Sequence, residues 1–250
     1  MERKKLIVAN WKMNKTVKEA VSYANELKKL VKDIHDRDIV VCPPYTALSA
    51  VSAEIKASNI ALGAQDLYWE KKGAFTGAIS SEMLKEIGVK YVIIGHSERR
   101  QFFNETGLTV NSKVKAALAN GLMPIVCVGE NGEEREKDDT KSVIEKQVKN
   151  GLMGLGKEEF QKLVIAYEPV WAIGTGKNAA PEQADEVHSF IRKMITGMYD
   201  GKTSQKLRII YGGSVTPENI KGLMEKENID GALVGSASLD ARKFSEIAKY

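Results

Sequence analysis

The sequence predicts an α/β chain of eight strand-then-helix units, closed as a single (β/α)8 barrel over residues 1–250 or, as the competing architecture, open as a doubly wound sheet. Short β-rich apolar runs recur eight times in 250 residues, about one every 31. The runs are continuous rather than alternating, as in strands covered on both faces in a parallel sheet. No Pro-rich or Ser/Gly-rich linker interrupts the series, so a second domain has no boundary to occupy, and a closed barrel suits this length.

The first run, Lys5–Ala9, leads to a helix announced by the capping-box pair Thr16 and Glu19, with Val17, Ala20, Val21, Ala24, Leu27 and Val31 at helical spacing. Asp38–Cys42 precedes a helix from near Thr46. Ile60–Ala64 is followed by a long connection, Gln65–Ile79, before a helix near Ser80. Behind Tyr91–Gly95, the segment Ser97–Arg100 can open one helix, and another begins near Thr109. Pro124–Val128 is followed by a helix from Thr140. The helix after Leu163–Tyr167 starts near Pro181 and carries Ala184, Val187, Phe190, Ile191 and Met194 on one face. Leu207–Tyr211 and Gly231–Gly235 complete the set, with helices from Thr216–Pro217 and Ser238. Gly88 and Gly121 stand where helices stop.

With 43% hydrophobic and 28% charged residues, six Pro and two Cys, the chain can bury a large core and is neither disordered nor disulfide-stapled. The net charge of +4 is spread in mixed runs such as Glu133–Asp138, a solvated face that argues against a nucleic-acid partner. Cys42 and Cys127 lie inside apolar runs and are expected to be buried free thiols. The basic start is followed only by Leu6–Ala9 before Asn10, and no run approaches the ~18 residues of a membrane span, so a cytoplasmic protein with no membrane partner is expected.

In either architecture the ligand site lies beyond the carboxyl ends of the strands. The polar residues there are Asn10, Lys12, Gln65, His96, Glu130, Glu168 and Ser214. Loop backbone can account for any one of them; together they bring a base, an imidazole and a fixed cation to one rim. Gly212-Gly213-Ser214, Gly235-Ser236 and Gly174 would let backbone N–H groups approach an anion, which implies a small phosphorylated ligand. Gly174–Ala179 matches G-x-G-x-x-A, but Pro169–Ile173 separates it from its strand, and it lacks the first Gly and the Ser/Thr of a Walker A loop. His35 and His188 lie in helical patterns with no partner at ligand spacing, so neither a metal nor a cofactor is expected.

The motifs Asn10–Asn14 (NWKMN), Gly73–Gly77 (GAFTG), Gly95–Arg100 (GHSERR), Ala166–Lys177 (AYEPVWAIGTGK) and Tyr211–Val215 (YGGSV) resemble those of the triosephosphate isomerase family in the same order along the whole chain. The resemblance implies a TIM barrel that interconverts dihydroxyacetone phosphate and D-glyceraldehyde 3-phosphate through an enediolate, in glycolysis and gluconeogenesis. By resemblance, Glu168 is the base, His96 the neutral electrophile and Lys12 the cation, with Asn10 and Glu98 positioning Lys12. Asn10, Lys12, Gly174, Ser214, Gly235 and Ser236 bind substrate. Val170, Trp171, Ala172, Ile173, Gly174, Thr175, Gly176 and Lys177 form a lid, held closed by Tyr211 and Ser214, with Glu130 nearby. The 65–79 loop, with Gln65, Phe75 and Thr76, makes a homodimer in which Thr76 lies near Asn10 of the partner subunit. A different sugar-phosphate isomerase or epimerase, or a non-catalytic phosphosugar-binding barrel, is the alternative; the lid sequence and Glu168 argue against them.

Departures from the family pattern are Ala9, Ala78 in place of a Glu that pairs with Arg99, Asn178 in the second lid hinge, and Ser236 in place of Gly. A positive φ at Ser236 would strain the phosphate site by about 1 kcal/mol.

Overall fold

The computed structural model describes residues 3–172 and 179–250. Within them run strands β1 (Lys5–Asn10), β2 (Arg37–Cys42), β3 (Ile60–Ala64), β4 (Tyr91–Ile94), β5 (Met123–Val128), β6 (Val164–Tyr167), β7 (Arg208–Tyr211) and β8 (Gly231–Val234). They pair in parallel in chain order and close on themselves, so the open-sheet alternative is excluded. Closure is made by β8 against β1, from Leu6 opposite Gly231 to Ala9 opposite Val234.

Strand alternation divides the core in two. Leu6, Val8, Val40, Ile93, Ile125 and Leu233 fill the barrel, while their neighbours Ile7, Ala9, Ile39, Val41 and Val92 face the surrounding helices. Both faces are dry, which is why the runs read as continuously apolar. Cys42 and Cys127 are buried free thiols, as expected.

The amino-terminal mouth is closed by charge. Arg3 Nε bonds Asp230 Oδ1 at 2.6 Å, and Asp38 receives Lys4 and Arg208 at 2.7 Å each. These ion pairs occupy that end and leave the carboxyl ends as the place for a ligand.

The helices refine the expectations. Thr16 caps Val17–Val31 with the predicted capping box, and Ser80 caps Ser81–Glu86. Three starts differ. Thr106, not Thr109, caps the helix Gly107–Ala119, because the two threonines bond reciprocally. Thr216 and Pro217 form a turn ahead of Ile220–Met224. Ser238 lies in a 3-10 turn, Ser236–Leu239, and Asp240 caps the helix Ala241–Lys249 by accepting from the amides of Arg242 and Lys243. No helix among the described residues is long and apolar enough to cross a membrane.

Candidate active site

Glu168 leaves β6 pinned on both sides. Its amide donates to Val128 O at 2.8 Å, and the Gly212 amide donates to Tyr167 O at 2.7 Å, so β5 and β7 fix its backbone. Two glycines make room for it. A Cβ at Gly129 would fall 1.7 Å from Glu168 O, and one at Gly212 would fall 2.8 Å from Glu168 Cγ. Real Cβ atoms do not approach so closely, which gives Gly212 a steric role beside the anion-binding one read from sequence and singles out Gly129, which that reading missed.

His96 follows β4 through Gly95, whose φ of 73° turns the chain into the helix Ser97–Phe102. Nδ1 of His96 accepts from the Glu98 amide at 3.2 Å, and Nε2 lies 2.9 Å from Glu168 Oε1. The other carboxylate oxygen, Oε2, accepts from the Ser97 amide at 2.9 Å. Both side chains are buried, His96 at 7% exposure and Glu168 at 2%. Burial pushes the Glu168 pKa up, but His96 and the Ser97 amide outweigh it, so the carboxyl titrates below its ordinary range. Burial likewise opposes a second proton on His96, while the Glu168 carboxylate draws its pKa upward and prevails in this arrangement. What resists that pull is the Glu98 amide: a proton on Nδ1 would point at an N–H already there.

Lys12 is held in an unusual conformation, with φ of 52°. Its amide donates to Asn10 Oδ1 at 3.0 Å, its carbonyl accepts from Gln65 Nε2 at 2.8 Å, and its ammonium bonds Glu98 Oε1 at 2.6 Å. Asn10 and Glu98, expected to position Lys12, both contact it. Gln65, expected at an interface, reaches back to the Lys12 carbonyl and also donates to Cys42 O at 2.9 Å.

Asn10, Lys12, His96, Glu168, Ser214, Gly235 and Ser236 line one cavity of about 260 Å³. The 3-10 turn Ser236–Leu239 opens against it, and the first amides of such a turn have no partner within it, which suits them to an anion. Ser236 does not adopt a positive φ, so the strain considered for this departure is absent. Glu98 stands behind Lys12 rather than in the lining.

The start of the lid sequence, Val170–Ala172, forms a 3-10 turn. Trp171 Nε1 donates to Glu130 Oε1 at 2.9 Å, and Tyr167 Oη donates to the same oxygen at 3.1 Å, so Glu130 is bonded to the first residues of that sequence. Ile173, Gly174, Thr175, Gly176, Lys177 and Asn178 lie outside the described residues. In the 65–79 loop Tyr68 stacks on Trp69 at 4.0 Å and packs on Phe75 at 4.8 Å, and residues 70–77, including Phe75 and Thr76, are exposed. Arg99, which has no Glu at position 78, pairs instead with Asp66 at 2.8 Å and lies 3.6 Å from Glu105.

His188 is a core residue rather than a ligand. It is fully buried, with Nδ1 3.2 Å from Asn228 O and its ring edge-on to Tyr167. Among the described residues no group of three or more His, Cys, Asp or Glu converges in a metal-holding arrangement.

Comparison with known proteins decides the family. The family model described as Triosephosphate isomerase matches residues 5–250. The chain belongs to the triosephosphate isomerase family. It is 58% identical over 248 residues to a triosephosphate isomerase of Endomicrobium trichonymphae, covering 99% of each chain. The same identity and length hold for one of Clostridium botulinum (strain ATCC 19397 / Type A), covering 99% of this chain and all of the relative. A Dictyoglomus thermophilum triosephosphate isomerase is 54% identical over 247 residues, covering 99% of each. The motifs from which the resemblance was read are therefore those of a member of this family.

Proposed function

We propose that Glu168, His96 and Lys12 divide between them the proton transfer and the charge stabilisation of an aldose–ketose isomerase. The function of the chain is the interconversion of dihydroxyacetone phosphate and D-glyceraldehyde 3-phosphate, a step of glycolysis. The observation that carries the residue assignment is the convergence of a buried carboxylate, an imidazole and an ammonium on one small cavity.

A proton α to a carbonyl is weakly acidic, so a carboxylate can remove it only if the negative charge appearing on oxygen is met where it forms. Glu168 takes the proton from one carbon and returns it to its neighbour. His96 Nε2–H faces the oxygens of the enediolate, and the Lys12 ammonium supplies fixed positive charge to them and to the phosphate. In the structure Glu168 rests on His96 and the Ser97 amide. Reaching the substrate carbon breaks these contacts, and with them goes most of what holds its pKa down. Burial then opposes only the Lys12 charge and makes the carboxylate a stronger base. The same movement removes the upward pull on His96 and leaves the ring neutral, fit to donate without being consumed as an acid.

Ser214, Gly235, Ser236 and, by family likeness, Gly174 hold the phosphate. Residues 170–177 close as a lid that keeps water from an enediolate able to expel phosphate before reprotonation. Thr76 and Phe75 belong to a homodimer interface made by the 65–79 loop. Support comes from large apolar side chains left in water: Met13 is 95% exposed, Phe102 66% and Phe103 64%. The mixed surface charge and the reduced thiols fit a cytoplasmic setting.

An assay coupling each triose phosphate to a specific dehydrogenase tests the reaction, and turnover lost on Glu168→Gln tests the base. Full turnover without the Glu168 carboxylate contradicts the assignment.

A further inference from the structure

We propose that Lys15 is a positioning residue for phosphate binding, a strap between the loop that carries Lys12 and the 3-10 turn Ser236–Leu239. The inference rests on the reading of the cavity as a phosphate site. Lys15 has φ of 74°, in the left-handed region that is costly for a non-glycine residue. Its side chain spans two separate parts of the rim. The ammonium lies 4.7 Å from the centre of the Tyr23 ring and 5.5 Å from that of Trp11, and it donates to Leu239 O at 2.7 Å.

Both ends of this span bear on the site. Trp11 stands between Asn10 and Lys12, is fully buried and packs edge-on against Tyr23 with ring centres 4.7 Å apart. Leu239 ends the turn whose first residues, Ser236 and Ala237, line the cavity. A cation at the carboxyl end of a helical turn is electrostatically favourable, and here it also ties that turn to the aromatic pair. Lys12 Cε would lie 3.5 Å from a Cβ at Gly235, so the Lys12 side chain runs past the start of the same turn. A shift of the 3-10 turn therefore moves its amides relative to the Lys12 ammonium, and Lys15 sets that separation.

Inorganic phosphate is the probe. Its inhibition constant is measured for the parent, Lys15→Met and Lys15→Gly, together with kcat/KM for D-glyceraldehyde 3-phosphate and the isomerisation rate of D-glyceraldehyde, which has no phosphate. Lys15→Met is expected to weaken phosphate inhibition and lower kcat/KM by about tenfold, the loss of one charge-assisted hydrogen bond, with the D-glyceraldehyde rate within about twofold of the parent. Lys15→Gly, which relaxes the backbone without restoring the cation, keeps the fold and shows the same loss. Parent-like phosphate inhibition in both variants overturns the inference. So does an equal fall in the D-glyceraldehyde rate, which would place the effect of Lys15 on Lys12 and the base. A parent that phosphate does not inhibit overturns the phosphate reading itself, and this inference with it.

Discussion

The backbone amide of Glu98 donates to Nδ1 of His96 at 3.2 Å, so the proton of the neutral ring sits on Nε2, which faces the cavity. One local turn thereby fixes the tautomer as well as the direction of the imidazole. Against this, the Glu168 carboxylate at 2.9 Å draws the His96 pKa upward.

Replacing Glu168 by Gln removes that attraction and leaves burial, the Lys12 charge and the Glu98 amide against the weaker upward pull of the Glu98 carboxylate. Nitrogen-15 NMR of His96 is expected to show titration at lower pH in Glu168→Gln than in the parent, with the Nε2–H tautomer as the neutral form in both. A higher pKa in the variant would contradict the account of the pair.

Shortening the base tests its placement. Glu168→Asp withdraws the carboxylate by one methylene and is expected to lower kcat by about 100-fold or more, as misplacement on that scale does. The proposed phosphate site, at Ser214, Gly235 and Ser236, leaves the carboxylate out, so the inhibition constant of inorganic phosphate is expected to stay near that of the parent.

Gly129→Ala tests the packing behind the base. The added Cβ would meet Glu168 O at 1.7 Å, so the end of β6 has to move. The expected outcome is destabilisation of about 1–3 kcal/mol in urea unfolding, with a fall in kcat and little change in phosphate inhibition. Parent-like kcat would show that the strand end is not constrained at that point.

His188 links stability to pH. Burial pushes its pKa down to about 4 in the folded chain, against an ordinary 6.5. Between these values the unfolded chain binds a proton that the folded chain refuses, so stability falls as pH drops through that window and is unaffected above it. The loss approaches about 3 kcal/mol at the lower limit. Urea unfolding between pH 7 and 4 is expected to be less pH-dependent in His188→Asn than in the parent; equal slopes would contradict this.

The strands were legible nearly to the residue. Pro124–Val128 was expected and β5 begins at Met123, because runs buried on both faces have sharp apolar limits. Short helices such as Gly132–Glu136 and Gly201–Lys206 carry no apolar periodicity and escaped notice. Polar residues after the runs marked the site, since a barrel directs that position to its rim. The environment of the base was hidden. The Ser97 amide has no side-chain signature, the demand on Gly129 comes from a strand nearly 40 residues away as 168 minus 129 gives 39, and the hold of Gln65 on Lys12 depends on closure of β1, β2 and β3 side by side.

The central claim is that Glu168 carries a proton between adjacent carbons of a triose phosphate. Its most direct test is proton NMR of the reaction in D2O. A single carboxylate that exchanges with solvent before returning the proton gives D-glyceraldehyde 3-phosphate deuterated at C2 from dihydroxyacetone phosphate, and Glu168→Gln gives neither product nor exchange at C1 of the ketose. Exchange by Glu168→Gln at the rate of the parent would contradict the claim.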